Sequence, residues 1–83
     1  MKFRAHINIM PRPELLDPQG KATALGLQNL GFDNIDGIRI GKRVQLEIEA
    51  DDQKSAESRV EEACKQLLAN LIMESYQFEL EKL

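Results

Sequence analysis

Chemistry-bearing residues are scarce in this chain. Its 83 residues include one cysteine, Cys64, one histidine, His6, and no tryptophan. A single cysteine excludes an internal disulfide, and one thiol with one imidazole falls short of the three or four ligands a zinc site takes. Eleven lysines and arginines against fourteen acids leave a net charge of −3, the opposite of the basic footprint of a nucleic-acid binder. No apolar run approaches the roughly 20 residues needed to span a bilayer. The opening "MKFRAHIN" lacks the apolar stretch of a signal peptide. The expectation is therefore one soluble cytoplasmic domain over residues 1–83, with neither nucleic acid nor membrane as partner. A chain this size buries only about 60–65% of its surface, and small domains draw extra support from disulfides, metals or partner subunits. With the first two excluded, self-association into a dimer or tetramer is expected.

What is present is patterning. From Lys2 to Met10, Phe3, Ala5, Ile7 and Ile9 alternate with Lys2, Arg4, His6 and Asn8, the period of a half-buried strand. "PRPELLDP" follows, and its prolines restrict the residues before them to extended geometry. Asp17 before Pro18 is a helix start, a capping carboxylate with a proline at the first helical position. That helix is expected to run from Pro18 to about Leu30 and to stop at Gly31. Thr23, Gly26, Leu27 and Leu30 would cluster on its inner side before Phe32 turns back to the core. Leu25 stands apart on another flank, a candidate contact for something outside the core. Ile35 to Ile40 and Val44 to Ala50 alternate about a turn at Gly41 and Lys42, which predicts a hairpin. After Asp51 and Asp52, the residues Ala56, Val60, Ala63, Cys64, Leu67 and Leu71 recur at three- and four-residue steps, an amphipathic helix. Tyr76, Phe78 and Leu80 close the chain as a last strand.

The order β-α-β-β-α-β predicts an α+β, ferredoxin-like fold, a four-stranded antiparallel sheet with two helices on one face. Functions of that architecture need particular residues. RNA readers place aromatic side chains on the open face of the sheet, where this chain has Gln45 and Glu47. Copper carriers need paired cysteines after the first strand, where it has "MPRPELLDPQG". Catalysis needs a nucleophile, a base and a stabiliser together. Here Cys64 falls on the inner stripe of a helix, a packing position. His6 faces the polar side of its strand, as a solvated residue or an interface group. No catalytic, cofactor-binding or metal-ligating residue is assigned. "RIGKR" gathers Arg39, Lys42 and Arg43 at a hairpin tip, and the helix start from Pro18 to Lys21 presents free N–H groups.

"LLDPQGKATALGLQNLGF", "IRIGKRVQLEIE" and "CKQLLANLIMESYQFEL" together resemble the PurS family, the small subunit of phosphoribosylformylglycinamidine synthase. The resemblance spans essentially the whole chain. It is carried most specifically by Leu16-Asp17-Pro18-Gln19-Gly20-Lys21, Leu30-Gly31-Phe32, Arg39 with Gly41-Lys42, and Leu67-Leu68-Ala69-Asn70. Leu71 departs from it, since family members often have proline there. The resemblance implies a place in purine biosynthesis, in the conversion of formylglycinamide ribonucleotide to the amidine with ATP and glutamine-derived ammonia. It implies a subunit that makes no bonds itself. A glutaminase subunit would release ammonia, a large synthetase subunit would hold ATP, magnesium and substrate, and a dimer of this chain would help join them.

Read with that implication, Asp17, Pro18, Gln19, Gly20 and Lys21, with Arg39, Gly41 and Lys42, are candidate subunit contacts, beside Leu25 and His6. Capping and close packing alone would also account for the first two groups. Gly26 lets another surface approach the helix closely, at up to about 1 kcal/mol relative to alanine. Two rivals share the element order. An ACT-like ligand-sensing module would carry a glycine-bearing turn after the first strand, where this chain has prolines. An acylphosphatase-like enzyme would need a phosphate-cradling loop, for which Arg12 between two prolines is slender support.

Overall fold

The computed structural model describes residues 1–35 and 37–83. Strand β1, Lys2–Pro11, forms the centre of an antiparallel sheet between β2, Lys42–Glu49, and β3, Glu74–Lys82. The alternation in the sequence sets the faces. Phe3, Ala5, Ile7 and Ile9 are buried on one side, opposite Ile48, Leu46 and Val44 of β2 and Leu80, Phe78 and Tyr76 of β3. Helix α2, Gln53–Ala63, covers that side, and Val60 and Cys64 join the strand residues in the core. Because a single helix lies over β1, the apolar residues of the two flanking strands are only half-buried.

The other sheet face is a charge ladder. Arg4 bridges Glu47 at 3.3 Å and Glu81 at 3.6 Å, and Lys2 lies 3.7 Å from Glu47. Exposed pairs of this kind contribute about 0.2–1 kcal/mol each; their effect is to keep the face solvated and its register fixed.

Three expectations are corrected. The sheet has three strands among the described residues, not four. Gly37 to Ile40 form no ladder with β2, and Asp36, within the expected strand, lies outside the described residues. The Ile40 N–H, which a ladder would use, is instead donated to the distant Asp17 carboxylate at 2.9 Å, and the Arg39 guanidinium is turned onto the Pro11 carbonyl.

The second correction concerns helix α1, Pro18–Asn29, which buries only Gly20. It does not lie on the sheet. Leu30 is 76% exposed and Phe32 48% exposed, against the inward positions expected for them. The helix itself is well terminated: the Gly31 N–H donates to the Gln28 carbonyl and the Phe32 N–H to the Leu27 carbonyl, with Gly31 at φ 98°, the left-handed stop that glycine accepts most readily. Projection of α1 gives the molecule its elongated extents of 52 × 26 × 14 Å.

The third lies at the end of α2. Cys64–Leu68 continue as a π-helical turn, closed by the Ala69 N–H on the Cys64 carbonyl at 3.0 Å. The wider turn shifts the helical phase. Leu68 is half-buried and Ala69 is buried, while Leu67 is 83% exposed and Leu71 is exposed too, although both were expected in the core.

Candidate functional site

The two segments singled out from the sequence, Asp17 to Lys21 and Arg39 to Lys42, meet where α1 leaves the sheet. Asp17 has an extended backbone, φ −116°, as a helix-capping residue requires. Its Oδ1 accepts the Gly20 N–H at 3.0 Å, and its Oδ2 accepts the Ile40 N–H at 2.9 Å. One carboxylate therefore caps the helix and binds it to a segment 23 residues away. The Ile40 and Gly20 N–H groups, with the Arg39 charge nearby, hold the Asp17 carboxyl below its ordinary value of 3.8.

Two glycines let the backbones close. A Cβ on Gly20 would collide with the Ile38 carbonyl oxygen, and one on Gly41 with the Ile9 carbonyl oxygen and the Met10 Sδ. Gly20 is buried at this contact. Arg12 locks the far side: its Nε and Nη2 donate to the Leu71 carbonyl at 3.1 and 2.7 Å, and its backbone N–H donates to the Met73 carbonyl at 2.9 Å. Between these walls lies an open cavity of about 410 Å³, lined by Leu15, Leu16, Pro18, Gln19, Lys42 and Met73 among others. Its lining is mainly apolar and holds no serine, cysteine or histidine, and its charged members Asp17, Lys42 and Glu74 stand among leucines and prolines, which suits the seating of a protein side chain.

The other two candidates lie apart from this junction. Leu25, 60% exposed, borders a groove along α1 with Leu16, Lys21, Ala22 and Gln28. His6 stands on the charged sheet face, with Nδ1 3.1 Å from the Gln45 amide and Nε2 3.4 Å from Glu81. Cys64 is fully buried. Burial, then the Glu61 charge, pushes its thiol pKa up, so little of it is thiolate at neutral pH. Among the described residues no group of three His, Cys, Asp or Glu side chains is placed to hold a metal ion.

Sequence reasoning missed the part played by Arg12 and by the turn from Asn70 to Glu74. That turn is ordered by the Glu74 carboxylate on the Asn70 N–H at 2.8 Å and the Asn70 side chain on the Ile72 N–H at 3.1 Å. The Asn70 to Glu74 spacing was a signal for it, since Asn favours such turns.

Comparison with known proteins agrees with this geometry. The PurS family model, described as phosphoribosylformylglycinamidine (FGAM) synthase, matches residues 4–82. The PurS subunit of phosphoribosylformylglycinamidine synthase from Synechocystis sp. is 42% identical over 78 residues, 94% of this chain and 78% of that one. The structure of B. subtilis PurS superposes with a TM-score of 0.88 at 32% identity, covering 96% of this chain and 99% of that one. A chain of the PurLQS structure from Thermotoga maritima gives 0.89 at 28% identity, covering 98% and 99%. Matched by the family model over nearly all its length and by relatives covered over most of theirs, the chain belongs to the PurS family of phosphoribosylformylglycinamidine synthase subunits.

Proposed function

We propose that this chain is the small, non-catalytic subunit of a cytoplasmic phosphoribosylformylglycinamidine synthase complex in purine biosynthesis. It works as a self-associated bridge between a glutaminase subunit and a large synthetase subunit, supporting the passage of ammonia by which formylglycinamide ribonucleotide becomes the amidine. In this reading ATP and magnesium belong to the synthetase subunit. The naming of a PurLQS assembly for a structural neighbour of nearly the same length supports the choice of partners.

One observation carries the reading: the protomer leaves apolar surface uncovered on two complementary parts of itself. Leu16, Leu25, Leu30 and Phe32 are exposed on and around α1. Val44, Leu46, Ile48, Tyr76, Phe78 and Leu80 are only half-covered on the sheet. A second copy satisfies both if each α1 lies on the other's sheet. There α1 takes the place that a ferredoxin-like protomer would give its first helix, and the paired molecules approach the two-helix layer expected of the single chain. Large exposed apolar surfaces on a small soluble chain mark interaction sites. The ACT-like alternative is not favoured, because Pro11 ends β1 and Pro13 stands just after it, where that module carries a glycine-bearing turn.

The test is a glutamine-dependent assay of amidine formation by purified glutaminase and synthetase subunits, with and without this chain. Activity should depend on adding it, and the three proteins should co-elute. Equal rates without it, or turnover by this chain alone, reject the proposal.

A further inference from the structure

Both helices begin with an aspartate cap, but the two caps do different amounts. Asp52 accepts the Ser55 N–H at 2.8 Å and holds nothing distant. Asp17 makes the equivalent bond to Gly20 and adds the long-range one to Ile40. The base of α1 has few other attachments. Beyond buried Gly20, the residues of α1 are half-buried or exposed, and α1 makes no contact with the sheet or α2 comparable to that of α2 with β1.

We infer that Asp17 is a positioning residue for assembly: its carboxylate fixes the direction in which α1 projects, by tying the helix cap to the returning segment at Ile40. This role differs from that of a subunit contact, since both carboxylate oxygens are already engaged within the chain. Arg39 completes the lock from the other side, holding the returning segment to Pro11 at the end of β1. Gly20 and Gly41 let the three backbone stretches come close enough for these bonds to form. Aiming an arm in advance removes part of the ordering cost of association. The consequence for assembly rests on the proposed self-association; the aiming itself does not.

Serine separates the two jobs, because a hydroxyl caps a helix nearly as well as a carboxylate but is a shorter side chain with one oxygen, unable to reach the second donor. In the full chain, nitroxide labels on Gln28→Cys in α1 and Gln77→Cys in β3, both at exposed positions, report the direction of the arm when diluted with unlabelled protein. Buried Cys64 stays unlabelled. The unmodified Asp17 protein should give one narrow distance distribution, and Asp17→Ser a distribution at least about twice as wide with unchanged helix content. A broken hydrogen bond to a charged group also corresponds to roughly a tenfold or larger change in an equilibrium, so the self-dissociation constant of Asp17→Ser should rise by about that factor. Asp52→Ala, which removes a cap but aims nothing, should lower the melting temperature and leave both readouts alone. Equal widths for Asp17 and Asp17→Ser, or a broad distribution already present with Asp17, overturn the inference. Narrow-to-broad behaviour in a chain that stays monomeric sustains the inference and rejects the bridging proposal instead.

Discussion

Two aspartates in this protein cap helices as hydrogen-bond acceptors, Asp17 for α1 and Asp52 for α2. Asp17 and Asp52 are both held below the ordinary carboxyl value of 3.8, Asp17 by the Ile40 and Gly20 N–H groups and Asp52 by the Ser55 N–H. A depressed folded-state value means that the ionised form is the stabilising one. That contribution is complete above the ordinary value, and it is lost as pH falls through the lower folded values. Stability should therefore be flat near neutrality and fall below about pH 4. Asp52→Ser keeps the cap but has no charge to lose, so its stability should fall less steeply between about pH 4 and about pH 2. Urea unfolding across that range checks it, and parallel curves for the two proteins would show that Asp52 contributes nothing through its charge. Tyr76 shows the converse: its hydroxyl donates to Glu61 at 2.5 Å, chiefly for which its pKa is pushed up to about 12.

Among the elements, α1 separates what local sequence dictates from what distant contacts decide. Asp17-Pro18 and Gly31 fixed its ends, because caps are local chemistry. Its burial was not legible, since whether Leu30 faces a core or solvent depends on where the chain goes next. The outer and inner residues of β1, β2 and β3 were readable from alternation alone, whereas the meeting of the Asp17 and Arg39 segments was not. The missing fourth strand and the turned-out Leu67 were not readable. The first depends on Ile40 giving its N–H to a side chain 23 residues earlier. The second depends on one extra residue in a helical turn, which three- and four-residue spacing cannot report. Gly26 is the remaining anomaly of α1. A Cβ there meets nothing within 4 Å in the protomer, so the protomer gives no reason for glycine. Gly26→Ala should raise helicity and stabilise α1 by about 0.5–1 kcal/mol. If the glycine serves close approach of a second copy, the same change should weaken self-association. Circular dichroism at low concentration and sedimentation equilibrium at higher concentration measure the two effects; alanine that improves both would show that Gly26 has no contact role.

At the scale of the whole molecule, a core one helix wide under a three-stranded sheet should leave stability tied to concentration if the chain self-associates as proposed. A binding partner that recognises only the folded state stabilises by mass action, so the melting temperature of a self-associating chain rises with its own concentration. The same should hold here, and Leu25, 60% exposed on α1, is the place to break the dependence. Fully burying a leucine is worth about 1.5–3 kcal/mol, and a two-fold assembly buries the residue twice. Leu25→Glu forfeits both and sets two carboxylates against apolar surface. Scaling the lower figure by the 60% of Leu25 still exposed, about 0.9 kcal/mol per copy, the dissociation constant should rise by at least about twentyfold. Being exposed in the protomer, the glutamate has no core to disturb, so the far-ultraviolet circular dichroism of the diluted protein should be unchanged. The variant's melting temperature should then stop responding to dilution, while the parent's falls with each tenfold step. A variant that still melts higher when concentrated would place the self-contact away from α1, and the uncovered sheet face would need a different occupant.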